Sequence, residues 1–168
     1  IGGIEASLRR VTHYDYWQDA LKPSILVESG ADWLCYGMGE RTMIEFTRAI
    51  ESGRNLNDIR KIPQLGFYMD GRSKAKDAVI LNSYERCCKD KIAFAENFHV
   101  VETYANMLQP PVLIEPVGNG FVQINPTWPP ATQEEMDSFW DLPYTKLPHP
   151  RYKGKHIPAF EMIKFSIN

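Results

Sequence analysis

One stretch near the amino terminus, residues 30–50, constrains the fold more than any other part of the sequence. Residues 33–36 are a short apolar run between glycines, which is typical of a buried strand. Beyond Gly39, core-facing positions recur at three- and four-residue steps, at Met43, Phe46, Thr47 and Ile50, and this spacing predicts a helix. A strand that feeds a helix through glycines is half of a parallel α/β unit. We therefore expect an α/β fold with a partial Rossmann-like parallel sheet.

Two glycine turns are the first candidates for a ligand site. Ile1 followed by Gly2 and Gly3 indicates the end of a second buried strand, and Gly37 and Gly39 form the turn after residues 33–36. Parallel α/β folds bind ligands at the carboxyl edge of the sheet, where such turns lie. Glu40 stands there as well, at the start of the predicted helix. The third glycine of a dinucleotide-binding fingerprint is absent, so the glycines alone do not indicate a cofactor.

An aromatic corner at residues 13–17 carries one imidazole and one carboxylate, and it admits two interpretations. In the first, its rings pack against the sheet as a half-buried corner. In the second, His13, Asp15 and Trp17 form a ligand wall beside the glycine turns. Asp32 also admits two interpretations: it is either a polar ligand at the entrance of the strand or a turn-forming residue.

The middle of the chain predicts one long helix and one hairpin. Residues 63–78 show no steady period and indicate a connection or a hairpin, and residues 79–81 a short strand. Asn82 and Glu85 resemble a capping box for a helix that continues to residue 108. Residues 112–124 then predict a β-hairpin around a permissive glycine turn.

Prolines punctuate the tail, which begins at residue 126. Thr132 and Glu135 form a second capping box and predict a short helix there. Residues 144–158 indicate an extended segment, and residues 160–167 a final strand. We accordingly expect three regions: a partial Rossmann-like part at 1–62, a connection, long helix and hairpin at 63–125, and a Pro-rich segment at 126–168.

Composition and motifs exclude several classes of function. A net charge of −2 gives no electrostatic case for nucleic acid or for an anionic membrane, and no apolar run approaches the roughly 20 residues that span a bilayer. Three cysteines, Cys35, Cys87 and Cys88, are too few for a disulfide framework, which favours the cytoplasm. Neither these cysteines nor the four histidines have metal-ligand spacing, so we predict no metal site and no catalytic residue within the chain.

Both ends of the sequence resemble the amino-terminal region of the YgiQ family of radical S-adenosylmethionine proteins. The resemblance is carried by residues 2–10, 13–17 and 31–40, and near the other end by residues 124–126, 135–137, 142–144, 148–150, Tyr152 and 157–166. In that family a cobalamin-binding-like α/β region precedes a barrel whose Cys-x-x-x-Cys-x-x-Cys loop binds a [4Fe-4S] cluster and S-adenosylmethionine. No cysteine of this chain matches that loop, and the Asp-x-His-x-x-Gly pattern of cobalamin ligation is missing.

The resemblance implies an amino-terminal region that ends just before the barrel. The cluster and S-adenosylmethionine would belong to the full-length protein and not to this part of it. Its expected role is accessory: to cover the barrel and to shape a substrate pocket with the two glycine turns, His13, Asp15, Trp17 and Glu40. The alternative is a module that binds a small molecule or a protein without redox chemistry, and a nucleotide-binding enzyme half is a third possibility.

The position that the resemblance implies, just before the barrel, also predicts the binding partners of this region. The first expected partner is the radical S-adenosylmethionine barrel of the same polypeptide. We also expect self-association, into a homo-oligomer, through strand edges left unpaired where the sequence is cut.

Overall fold

A computed structural model describes residues 1–73, 75–145 and 147–165. The chain divides into two units, Ile1–Ala131 and Thr132–Asn168. Short strands and helices alternate through the first unit, which confirms the α/β class. Its elements are α1 (Gly3–Leu8), β1 (His13–Asp15), β2 (Ala20–Lys22), α2 (Ile25–Ser29), β3 (Leu34–Cys35), α3 (Glu40–Glu51), α4 (Leu56–Ile59), β4 (Leu65–Asp70), β5 (Val79–Ile80), α5 (Tyr84–Lys89), α6 (Lys91–Ala105), β6 (Leu113–Val117) and β7 (Gly120–Ile124).

The sheet of the first unit is mixed, with the strand order β3-β4-β7-β6-β5. Only the β5–β6 pair is parallel among these strands, and β3–β4, β4–β7 and β7–β6 are antiparallel. The expected parallel sheet is therefore wrong for the strands that the structure describes. After α3 and α4 the chain returns to the carboxyl end of β3, where Leu65 pairs with Cys35, so β4 runs back antiparallel to β3. β1 and β2 pair separately as a two-stranded hairpin.

β4 was not recognised in the sequence because both of its faces are covered. Its residue Leu65 belongs to one apolar cluster with Ala49 and Ile59, whereas Tyr68 packs on a second cluster that includes Leu26 and Val122. Side chains of even and odd positions in a strand point to opposite faces, so the two clusters lie on the two faces of the sheet. A strand that is apolar on both faces lacks the alternation from which a half-buried strand is recognised.

The predicted long helix is two helices, α5 and α6, which are separated at Asp90. This residue is extended (φ −136°, ψ 105°), and its side chain accepts a hydrogen bond from the Ile92 N–H as the N-cap of α6. The cap of α5 is Ser83, one residue after the predicted Asn82, and it accepts from the Arg86 N–H. The hairpin at residues 112–124 is confirmed as β6 and β7, joined through Gly118 and Asn119.

The second unit contains α7 (Gln133–Trp140), a 3₁₀ turn (Pro150–Tyr152) and α8 (Pro158–Ile163). The capping box of Thr132 and Glu135 is confirmed at the start of α7. The predicted final strand is wrong for residues 160–163, because Pro158 starts a helical turn there with its fixed φ. Residues 164 and 165 form a turn, and the last two residues of that prediction, 166 and 167, lie outside the described part. No described helix is long and apolar enough to cross a membrane.

Candidate functional site

The first residue of the chain pairs with β3 as a parallel strand would. The Ile1 nitrogen donates to the Trp33 carbonyl at 2.8 Å, and the Cys35 N–H donates to the Ile1 carbonyl at 2.9 Å. These two bonds flank Leu34, which is the hydrogen-bond pattern of a parallel pair. Two parallel strand ends, each followed by glycines and a helix, therefore lie side by side in an otherwise mostly antiparallel sheet.

The two glycine turns touch each other at the carboxyl end of β3. The Ser7 hydroxyl of α1 donates to the Gly3 carbonyl (2.8 Å) and accepts from the Gly37 N–H (3.0 Å), so one side chain links both turns. A Cβ atom on Gly2 would lie 3.0 Å from the Cys35 carbonyl oxygen, and one on Gly39 would lie 2.9 Å from the Cys35 Sγ. A Cβ at Gly2 would press on the backbone of β3 and one at Gly39 on the Cys35 side chain, so the close packing favours glycine at both positions.

A buried glutamine, Gln64, forms hydrogen bonds with the backbone of the second glycine turn, at Gly37. Gln64 Nε2 donates to the carbonyls of Tyr36 (2.9 Å) and Met38 (3.3 Å), and its Oε1 accepts from the Trp128 N–H at 3.4 Å. Gly37 has a φ of +67° and would place a Cβ 2.8 Å from the same Nε2 atom. Both the left-handed backbone and the contact exclude a larger residue there. The turn is therefore held rigidly from the side of the sheet.

The outer surface of the two turns is apolar. Ile4 is 83% exposed, Met38 57% and Leu8 70%, although all three lie on or beside the linked turns. Glu40, the first residue of α3, is exposed at the same edge, where a carboxylate is favoured by the helix dipole. The structure thus brings Gly2, Gly3, Gly37, Gly39 and Glu40 together at one edge of the sheet.

The other three candidate residues lie on the β1–β2 hairpin. His13 is buried, and burial lowers the pKa of its imidazole; Nδ1 is 3.2 Å from the Val11 carbonyl. The Asp15 carboxylate accepts from the N–H groups of Trp17 (2.9 Å) and Gln18 (3.4 Å), as a turn-forming aspartate does. Trp17 is exposed and stacks on Tyr16. Among the described residues, no hydrogen bond or ring contact connects His13, Asp15 or Trp17 to the glycine turns.

One carboxyl group that was not singled out in the sequence is buried in the main core. Glu115 of β6 is 1% exposed, and burial raises the pKa of its carboxyl to about 7, against the opposing hydrogen bonds from Thr12. The signal for it was present, because Glu115 interrupts an apolar run that forms a strand. Gln64 had no comparable signal, since its role depends on loops that are distant in the sequence.

The three cysteines of the chain are not placed to bind an iron–sulfur cluster. Cys35 is on β3 and Cys87 and Cys88 are on α5, and in the part of the chain that the structure describes no group of three or more His, Cys, Asp or Glu side chains is arranged to bind a metal. Cys87 accepts from the Asn97 amide at 3.3 Å, and burial raises the pKa of its thiol to about 11. A thiol of high pKa resists forming the thiolate that binds iron.

Comparisons with known proteins agree on one family. A family model described as Radical SAM N-terminal matches residues 1–166. A UPF0313 protein of Bacteroides thetaiotaomicron is 45% identical over 181 residues, and one of Porphyromonas gingivalis is 45% identical over 174 residues. A UPF0313 protein of Clostridium botulinum is 36% identical over 168 residues.

These relatives are much longer than the chain. The alignments cover all or 99% of this chain but only 29%, 27% and 26% of the three relatives, respectively. The chain thus spans less than a third of the length of the curated relatives that it matches. No solved structure matches it significantly.

Proposed function

Because the chain belongs to the Radical SAM N-terminal family, we propose that it is the accessory region of a radical S-adenosylmethionine enzyme and performs no chemistry alone. The [4Fe-4S] cluster and S-adenosylmethionine would be bound by other parts of the whole polypeptide, because the cysteines of this chain do not form a ligand set. The free cysteines suit a reducing cytoplasm, which we propose as the location.

The observation that carries this proposal is the contact between the two glycine turns. The Ser7 hydroxyl links the turns of Gly3 and Gly37, the Cys35 N–H bonds to the Ile1 carbonyl beside them, and exposed apolar side chains surround this edge. A rigid apolar edge suits a surface that covers a reaction chamber and excludes water from it. We therefore propose that this edge, with Ile4 and Met38 at its centre, forms a wall of the substrate pocket. On this proposal His13, Asp15 and Trp17 lie on a separate hairpin and act there only if the substrate extends that far.

The proposal is tested on the whole polypeptide after anaerobic reconstitution. Iron and sulfide content and low-temperature electron paramagnetic resonance are measured with and without S-adenosylmethionine. We expect a reducible [4Fe-4S] signal that changes when S-adenosylmethionine is added. A whole polypeptide without iron would remove the redox mechanism and favour the alternative, a binding module without redox chemistry.

A second measurement tests the role of the glycine-turn edge separately. Ile4→Lys and Met38→Lys place charge on the edge, and Ile92→Lys is the matched control on α6, where the exposure of the native side chain (68%) lies between those of Ile4 and Met38. We expect the first two variants to keep the cluster signal but to change the rate at which 5′-deoxyadenosine forms by at least threefold. Unchanged rates in all three variants, with the cluster present, would overturn the role of this edge while leaving the family mechanism intact.

A further inference from the structure

A cavity lies at the amino-terminal end of β3, away from the glycine turns at its carboxyl end. Its volume is about 480 Å³, which is within the range of small-molecule sites. β4 continues beyond Gly66, its last residue that pairs with β3, while the chain before Leu34 turns away. The space opens where these two segments diverge. Neither the family match nor the glycine-turn edge assigns any role to it.

Aromatic and aliphatic side chains form the walls of this cavity. On one side of β4, Trp33 and Phe67 meet edge to face with ring centroids 5.8 Å apart, and on the other side Tyr68 and the buried Leu26 line the cavity, which therefore runs around the edge of the strand. Such walls accommodate a planar apolar body and place it against ring faces and edges.

In the part of the chain that the structure describes, one positive charge reaches into this apolar space without an ion-pair partner. Arg60 follows α4 and lines the cavity, and its guanidinium carbon is 5.7 Å from the centroid of the Phe67 ring. Its Nη1 approaches the Asn57 amide oxygen only at 3.5 Å, and its buried Nε–H has no acceptor among the described residues. The neighbouring Asp58 is engaged by Lys61 at 2.8 Å instead. A guanidinium beside apolar walls is expected to have an anionic partner.

The carboxylate of Asp32 lies at the rim and does not supply that partner. Asp32 is exposed, and no ion pair joins it to Arg60 or to another side chain in the described part of the chain. Its charge is screened by solvent, whereas the charge of Arg60 is partly enclosed. The sequence left Asp32 open as either a ligand or a turn residue, and the structure places it at the mouth of a cavity.

We propose that this cavity binds a small organic carboxylate with a planar apolar body. The carboxylate pairs with the guanidinium of Arg60, and the planar body lies against Trp33 and Phe67, the rings nearest to that guanidinium. An Arg–carboxylate pair is favoured by its planar, two-pronged geometry. This inference does not depend on the proposed radical chemistry, since no residue of the glycine-turn edge lines the cavity.

Benzoate is the probe, and the whole polypeptide is titrated with it in saturation-transfer difference NMR. Benzyl alcohol is the uncharged analogue of similar shape. We expect benzoate to bind at least fivefold more tightly than benzyl alcohol, and Arg60→Gln to weaken benzoate binding at least tenfold. Arg54→Gln is the matched control, because Arg54 is exposed and pairs with Glu45 outside the cavity. It leaves benzoate binding unchanged.

A second variant keeps the proposal testable if Arg60→Gln fails to fold. Val27→Trp, at a partly exposed position of α2 on the cavity wall, fills the space and leaves Arg60 in place. We expect it to abolish benzoate binding. The proposal is overturned if benzoate does not bind, if benzyl alcohol binds equally well, or if benzoate binds the filled variant as tightly as the parent protein.

Discussion

The Thr12 N–H donates to both carboxylate oxygens of Glu115, at 2.8 Å to Oε2 and 3.0 Å to Oε1, across 103 positions of sequence. Glu115 shares its face of β6 with the apolar cluster around Val122, which is directly opposite on β7. No described ion pair includes this carboxylate. The contact ties the start of the β1–β2 hairpin to the sheet through a group that is costly to bury in its charged form.

The first prediction is that Glu115 makes the folded state less stable as the pH rises from about 4.5 to about 7. Its pKa is about 7 in the folded state and 4.5 is its ordinary value. Between these values the folded chain retains a proton that the unfolded chain has lost. The free energy of unfolding therefore falls as the pH rises from about 4.5 to about 7, by roughly 3 kcal/mol in total, and is level above that.

The E115Q variant isolates this effect, because an amide resembles the protonated acid and does not titrate. Urea unfolding of the parent protein and the variant is compared at several pH values from 5 to 8. We expect the difference in unfolding free energy to move in favour of the variant as the pH rises. A difference that stays constant over this range would show that Glu115 does not titrate there.

Gly39→Ala tests the contact between the glycine turn and β3. The backbone of Gly39 (φ −86°, ψ −8°) is allowed for alanine, so the cost arises only from the new Cβ, 2.9 Å from the Cys35 Sγ. Overpacking of this kind costs about 1–3 kcal/mol. Cys35→Ala removes the sulfur, so the double variant should recover most of that loss in urea unfolding. Equal losses from Gly39→Ala in the presence and absence of Sγ would contradict the predicted contact.

Gln64→Glu tests the clamp under the same turn. A carboxylate cannot donate to the Tyr36 and Met38 carbonyls, and it places negative charge against both of them. We expect a loss of about 1–3 kcal/mol and faster amide hydrogen exchange at Gly37 and Met38. Gln64→Met is the control, since it also lacks the donors but adds no charge and should be less harmful. If both variants exchange at the parent rate, the clamp does not hold the turn.

Local signals in the sequence predicted the elements whose causes are local. The capping box of Thr132 and Glu135 and the hairpin turn at Gly118 depend on residues within a few positions of each other, and both predictions are confirmed. The contact between the two glycine turns could not be predicted from local sequence, because the side chains that hold it, Ser7 and Gln64, come from distant segments.

The predictions of a single long helix and of a parallel sheet were wrong, and each error has a physical cause. Asp90 lies within an apolar period that continues across it, but its side chain caps α6 and thereby ends α5. β4 pairs with β3 antiparallel, and nothing in the glycine turn specifies the direction of the next strand. Self-association through strand edges stays a prediction; β3 and β5 are the outer strands of the described sheet.

The last prediction is that none of the three cysteines contributes to a cluster in the whole polypeptide. Cys35 Sγ faces the Gly39 carbonyl at 3.6 Å, and burial raises the pKa of its thiol. Cys87 is enclosed beside Asn97. We expect a variant with alanine at Cys35, Cys87 and Cys88 to retain the iron and sulfide of the parent protein after anaerobic reconstitution, and to lose about 1–3 kcal/mol of stability from the two buried positions.

A variant that unfolds would lose iron for that reason alone. Unfolding is therefore checked first, and iron is measured on folded protein only. Loss of one third or more of the iron from folded protein would mean that a cysteine of this chain is a ligand, and the proposal that the cluster is bound entirely elsewhere would be wrong.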